Sequence, residues 1–223
     1  MDSFPLPFPL AYLHCHQSLL PLPLLPTPGH YRNMSLAWTE RHLYGGAITC
    51  EIPSDWRDVS DIRQVPDHQE CWQEADGAVL VVEILERRQN VSDADGAAFF
   101  FNDLAQANGA STPQDARFQP ATLTLPNLPE NSTLCSGIGY QRVALGREVD
   151  IAGNRRAQEV RWIKVDLAAF RLQRFNTELL VTMSIPISDP NGPPAPGNNS
   201  SFDEQFQHIM STLTVRDWEL FVG

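Results

Sequence analysis

The chain of 223 residues contains a single lysine, Lys164, and its 16 Lys+Arg face 27 Asp+Glu for a formal net charge of -11. So little base excludes a reader of phosphate backbones or of anionic membrane surfaces, since both draw their affinity from Lys and Arg. The familiar spacings of reaction centres are also missing. There is no Gly-x-Ser-x-Gly, no His-Glu-x-x-His and no Gly-Lys-Ser/Thr. Gly137-Ile-Gly139 lacks a third glycine and a following helix, so the pair reads as strand or turn glycines, not a dinucleotide fingerprint. The four cysteines, Cys15, Cys50, Cys71 and Cys135, include no Cys-x-x-Cys. They are expected to be free thiols of a reducing compartment, neither a disulfide framework nor a zinc site. His14-Cys15-His16 is the one metal-like cluster, and it is short of ligands. No cofactor or metal is therefore expected, and by elimination a binding protein is favoured over an enzyme.

An unbroken apolar run of membrane length is absent too. The first 28 residues alternate proline with Leu and Phe, which forbids a spanning helix, and acidic Asp2 with interrupting prolines does not fit a signal peptide. Residues 1–41 read as a Pro/Leu-rich, polyproline-like extension expected to be disordered, and 42–223 as one domain with a Pro/Gly-rich flexible loop at 188–200. With 42% hydrophobic residues that domain has ample material for a core.

Strand patterns cover Ala47–Ile52, Ala78–Leu85, Phe118–Leu125, Ile138–Leu145, Val160–Leu172 and Glu178–Ile187. The run at Ala78–Leu85 is nearly continuous, as in a central strand. Ser92-x-x-Asp95 and Ser201-x-x-Glu204 resemble capping boxes, each followed by apolar residues at helical spacing: Ala97, Phe100, Phe101 and Leu104, then Phe206, Ile209, Met210 and Leu213. Mostly adjacent strands with one helix between them and one at the end predict an α+β domain with antiparallel pairing.

The charge is uneven. Residues 51–86 hold ten acids and two bases, whereas 141–174 hold eight bases and four acids. Within the acidic stretch, Asp58 and Asp61 are three apart, as are Asp67 and Glu70, so each pair can share a face and present carboxylates to Arg or Lys of a partner. The competing reading is that Asp58 and Asp67 cap local turns on a solvated face. Arg63 either orients a neighbouring carboxylate or balances charge. Trp56 and Trp72 flank the cluster and read as core residues first and interface aromatics second.

Leu43-Tyr-Gly-Gly-Ala-Ile-Thr49, then Asp58-Val-Ser-Asp-Ile-Arg63 and Val65-Pro-Asp-His-Gln-Glu70, resemble the N-terminal signature of the Mog family of Ran-binding nuclear import factors, also called Ran guanine nucleotide release factors. Ile62 stands where the family pattern has Leu. Val79–Leu85 and Phe170-Arg-Leu-x-x-Phe-x-Thr-Glu-Leu-Leu180 are similar to later family stretches, while about 105–155 is weakly matched. The resemblance implies a three-layer α/β/α sandwich on a mainly antiparallel, about six-stranded sheet, similar to PsbP proteins. It implies a protein that binds the small GTPase Ran, aids release of its nucleotide and supports nuclear import; nucleus and cytoplasm are the expected locations, and nothing in the sequence demands more than a monomer. By motif, Asp58, Asp67 and Glu70 correspond to the family's Ran-binding acids, with Asp61 and Arg63 beside them. A PsbP-like subunit of another assembly is the alternative, and a small hydrolase using the Asp67-His68 pair a distant third.

Overall fold

A computed structural model describes residues 37–125, 132–145, 159–189, 192–193 and 201–222. The Pro-rich leader, the His14-Cys15-His16 cluster and most of the 188–200 loop lie outside them.

The continuous apolar run becomes β5 (Val79–Glu86), inside an antiparallel sheet. Its neighbours are β9 (Thr177–Pro186) and β4 (Gln69–Gln73). Outward from β9 lie β8 (Glu159–Leu172), β7 (Ser132–Leu145) and β6 (Ala116–Pro120), and outward from β4 lies β3 (Arg57–Asp58). The sheet thus has seven strands, of which β3 contributes only two residues.

Alternation along β5 sends Leu80 and Val82 to one face and Val79 and Val81 to the other, and each face carries its own core. Helix α1 (Gly96–Ala107) covers the second face with Ala97, Phe100, Phe101 and Leu104. The first face is covered by α2 (Glu204–Thr212), through Phe206, Ile209 and Met210, and by a small sheet of β1 (Trp38–Leu43), β2 (Ile48–Pro53) and β10 (Thr214–Val215). The result is the antiparallel α+β domain expected from the strand and helix patterns, in the three layers implied by the family resemblance, with seven strands in place of about six.

Several boundaries differ from the sequence reading. The domain begins before 42, because Trp38–Leu43 pairs along its whole length with β2. The strand expected at Phe118–Leu125 stops at Pro120, and its partner starts at Ser132 instead of Ile138. Ser92 and Asp95 do form a reciprocal turn, with Ser92 Oγ donating to Asp95 Oδ2 at 2.6 Å. That bond occupies the Asp95 carboxylate, and the helix starts only at Gly96. At α2 the cap is Asp203, which accepts from Gln205 N–H at 2.8 Å, not Ser201.

Ser201 has a different role. Its carbonyl accepts from Lys164 Nζ at 2.8 Å, and both oxygens of buried Asp166 lie 3.0 Å from the same Nζ. Asp166 also accepts from Asp203 N–H at 2.7 Å, so the chain's single lysine and one buried carboxylate fasten the start of α2 to the sheet.

The glycine pair of β7 is explained by ring packing. A Cβ on Gly137 would overlap the Phe118 ring, and one on Gly139 the Phe101 ring, which stacks on Phe118 at 5.0 Å. Gly139→Ala should therefore cost about 1–3 kcal/mol of stability through overpacking. Urea denaturation checks it, and adding Phe101→Leu should recover part of the loss; a neutral Gly139→Ala would refute the packing account.

Candidate protein-interaction site

All five acidic-cluster residues sit on one segment at the β3 edge of the large sheet. Strand β3 places Asp58 opposite Trp72 of β4, with Glu70 two residues along on the same face. Asp58 caps the 3-10 turn Val59–Asp61 by accepting from Ser60 N–H at 2.8 Å. The capping reading is thus correct for Asp58, while its carboxylate stays close enough to Glu70 to disfavour that group's ionisation. Asp61 is exposed in the turn, and the N–H groups of Ile62 and Arg63 both donate to Val59 O at 3.0 Å. Among the described residues the Arg63 guanidinium forms no ion pair with these acids. Ile62 is 51% exposed, an apolar side chain set among carboxylates.

The next stretch is stiff. Val65 packs against the core under α1, Gln69 N–H donates to Pro66 O at 2.8 Å, and Ile84 N–H donates to His68 O at 2.9 Å. Asp67 is the exposed apex of this turn, held on both sides by the backbone. Among the described residues neither Asp61 nor Asp67 spends its carboxylate on a hydrogen bond.

Glu70 differs from them. It is half-buried, and its Oε1 accepts from Tyr44 N–H at 2.6 Å. Burial pushes its pKa up, the Tyr44 hydrogen bond opposes that, and Asp58 adds to the rise. The Tyr44 turn is built for this contact. Tyr44 and Gly45 have φ of 50° and 66°, left-handed values that Gly45 adopts without strain and that a bulky Tyr adopts only where its surroundings hold it. Its hydroxyl lies 3.0 Å from His68 O and 2.9 Å from Val82 O, so it bridges the acidic loop to β5.

On the opposite face of the sheet, the sequence reading passed over Glu83, although one charged residue in an otherwise apolar run was a visible signal. It is 1% exposed; Oε1 accepts from Gln69 Nε2 at 2.6 Å and lies 3.5 Å from His68 Nε2. Burial, aided by Asp103 and opposed by Gln69, pushes its pKa up to about 7. Trp56 and Trp72 are buried core residues, with the Arg41 guanidinium 4.8 Å above the Trp72 ring. Cys50, Cys71 and Cys135 are buried, and burial pushes the Cys50 thiol up to about 12. They are sheltered thiols, not nucleophiles.

Exposed carboxylates on a hydrogen-bonded loop, with an apolar side chain among them, can accept charge-assisted hydrogen bonds from Arg or Lys. The family described as "Ran-interacting Mog1 protein" matches residues 41–186, and the chain belongs to that family. It is 30% identical over 184 residues to human "Ran guanine nucleotide release factor", covering 80% of this chain and 94% of the relative. It is 25% identical over 194 residues to "Nuclear import protein mog1" of Schizosaccharomyces pombe, covering 80% and 98%. The crystal structure of the Saccharomyces cerevisiae Ran-binding protein Mog1p shares the fold at a TM-score of 0.60, with 21% identity, 84% of this chain and all of that chain covered.

The buried carboxylate makes stability pH-dependent with a definite sign. The pKa of Glu83 is higher folded than its ordinary 4.5, so folding takes up a proton between those values and stability falls as pH rises through about 7. Its share is on the order of 3 kcal/mol at most. Melting temperatures at pH 5.5 and pH 8 should differ clearly less in Glu83→Gln than in wild type; identical pH dependence would remove Glu83 as the source.

Proposed function

We propose that this protein binds the small GTPase Ran through the acidic edge segment and promotes release of its guanine nucleotide, in support of nuclear protein import. The observation that carries the reading is the placement of Asp58, Asp61 and Asp67 on one rigid segment, with Glu70 at its base, in a chain of the Ran-interacting Mog1 family. The names of the human and fission-yeast relatives, a nucleotide release factor and a nuclear import protein, support the second and third parts. The chain acts as a monomer in nucleus and cytoplasm, as a partner and not as a catalyst of covalent chemistry.

The carboxylates can speed release in two ways. They compete for the basic groups or Mg²⁺ that hold the nucleotide's phosphates, or they anchor the protein while it favours an open conformation of the GTPase. In both, Asp67 supplies steering charge. Glu70, half-buried and bonded to Tyr44, supplies a more fixed contact.

The test is loss of fluorescent GDP and GTP analogues from purified Ran, with and without the protein. Asp67→Asn with Glu70→Gln removes both charges while leaving an oxygen for Tyr44 N–H. Wild type should accelerate release. The folded double variant should bind about tenfold more weakly and with a shallower salt dependence, as expected for two charge-assisted contacts. Unchanged affinity at low salt would sink the acidic contact; absence of any binding by wild type would sink the whole reading.

A further inference from the structure

Four large apolar side chains are exposed among the described residues: Ile62, Val160, Trp218 and Val222, at 51%, 50%, 36% and 67%. Val160 pairs with Ala144 at the far end of the sheet. The other three belong to the end that carries the acidic loop, and the hydrogen-bond register traces the connection. His68 O receives both Ile84 N–H and the Tyr44 hydroxyl, and Glu70 receives Tyr44 N–H. Three residues beyond Tyr44, Ala47 O accepts from the N–H groups of Arg216 and Asp217, which places Trp218 beside the Tyr44 turn. On its other side Trp218 stacks on Phe175 at 5.6 Å, in the turn between β8 and β9, and Asn176 O of that turn accepts from Arg87 N–H just after β5. The circuit from the acidic loop to the C-terminal segment closes around one end of the molecule.

The aromatic group is preorganised. Trp218 and Phe221 are 5.8 Å apart, and Phe175 and Phe221 5.9 Å. Only Phe221 is fully core. Asp217 caps the short turn Trp218–Phe221 by accepting from Glu219 N–H at 2.9 Å, and exposed Asp217 and Glu219 place two more carboxylates beside the rings. A Trp held by stacking, with an exposed Val four residues on and a rim of Asp217, Glu219, Arg216 and the Arg174 guanidinium over Phe175, has the composition of a binding hot spot: an apolar centre with a charged border.

We propose that the GTPase-binding surface is bipartite, with the acidic segment 58–70 for steering and the Trp218/Val222 patch as an apolar anchor for a part of the same GTPase where apolar side chains are bordered by Arg or Lys. The proposal rests on the Ran-binding reading above and extends it to residues that reading does not use. The continuity of the two patches through Tyr44 and Ala47, with Asp217 and Glu219 beside Trp218, commits the occupant to that one partner. Steering charges act mainly on the association rate and anchors on dissociation, so the two halves separate kinetically.

The experiment uses the full chain and purified Ran loaded with GDP or GTP, with rates measured at low and high salt. Val222→Glu changes a side chain that is two-thirds exposed, so it should melt like wild type; Trp218→Ala is accompanied by its own melting curve. Each should weaken binding about tenfold, the scale of a hot-spot truncation, through faster dissociation with an unchanged salt slope. Wild-type affinity in folded Val222→Glu and Trp218→Ala, while Asp67→Asn with Glu70→Gln weakens binding, would overturn the anchor and leave the Ran reading standing. Tighter binding by the patch variants would mean that another part of this chain occupies the patch, and an unaltered affinity with loss of a self-associated form would assign it to a second copy. Both outcomes overturn the proposal. No binding by wild type overturns both readings.

Discussion

A sheet buried on both faces leaves almost no place for charge, and the other features of this molecule follow from that constraint. Both faces of β5, β8 and β9 are covered, so each polar side chain that enters them must bring a partner or lose its charge. Asp166 takes Lys164 and the N-terminus of α2. Arg171, wholly buried, donates to Val91 O, Arg88 O and Asp93, with Glu178 3.3 Å away. Through those bonds it fixes the 87–95 connection that precedes α1. Such networks contribute little net stability compared with apolar packing, but losing one member strands the rest. They decide where the loops attach, and so which side chains the ends of the sheet can present.

Glu70 shows how closely fixation and recognition are joined here. The bond to Tyr44 N–H ties the edge of the large sheet to the turn between β1 and β2, so the carboxylate is both a brace and a candidate contact. Truncating it to Ala confounds the two roles, because Tyr44 N–H loses its acceptor and the left-handed turn its restraint. Asp67 has no such second role. Effects seen at Asp67 therefore report charge, and effects at Glu70 report charge plus architecture.

The fold was legible where pattern and packing agree. The apolar run of β5 and the helical spacings of Phe100, Phe101 and Leu104 and of Phe206, Ile209 and Met210 marked a central strand and both helices, while the layering was implied by the family resemblance and the small sheet of β1, β2 and β10 was not read from pattern. Boundaries were less legible because they depend on distant partners. The cap of α2 is Asp203, whose own N–H donates to Asp166 of β8, a contact thirty-seven positions away that no local pattern reveals. For the site, the charge count and the family-like signature led to the same segment. What the sequence withheld was which carboxylate is free. Among the described residues Asp58 and Glu70 are engaged by backbone N–H groups and Asp67 is not, and the N–H that holds Glu70 belongs to Tyr44, twenty-six positions away.

The raised pKa values around this edge carry a consequence for any basic partner. Glu70 and Glu83 hold protons more tightly than free carboxylates because burial and neighbouring acids disfavour their charge. An approaching Arg or Lys reverses the second cause and stabilises the ionised form, most strongly for Glu70 on the face shared with Asp58. Association and proton release are then linked, and binding strengthens as pH rises through the range in which these groups titrate. Folding stability runs the other way for Glu83, since its ionised form is costly in the free protein. A cation docked beside Glu70 would offset part of the penalty that burial and Asp58 place on its ionised form.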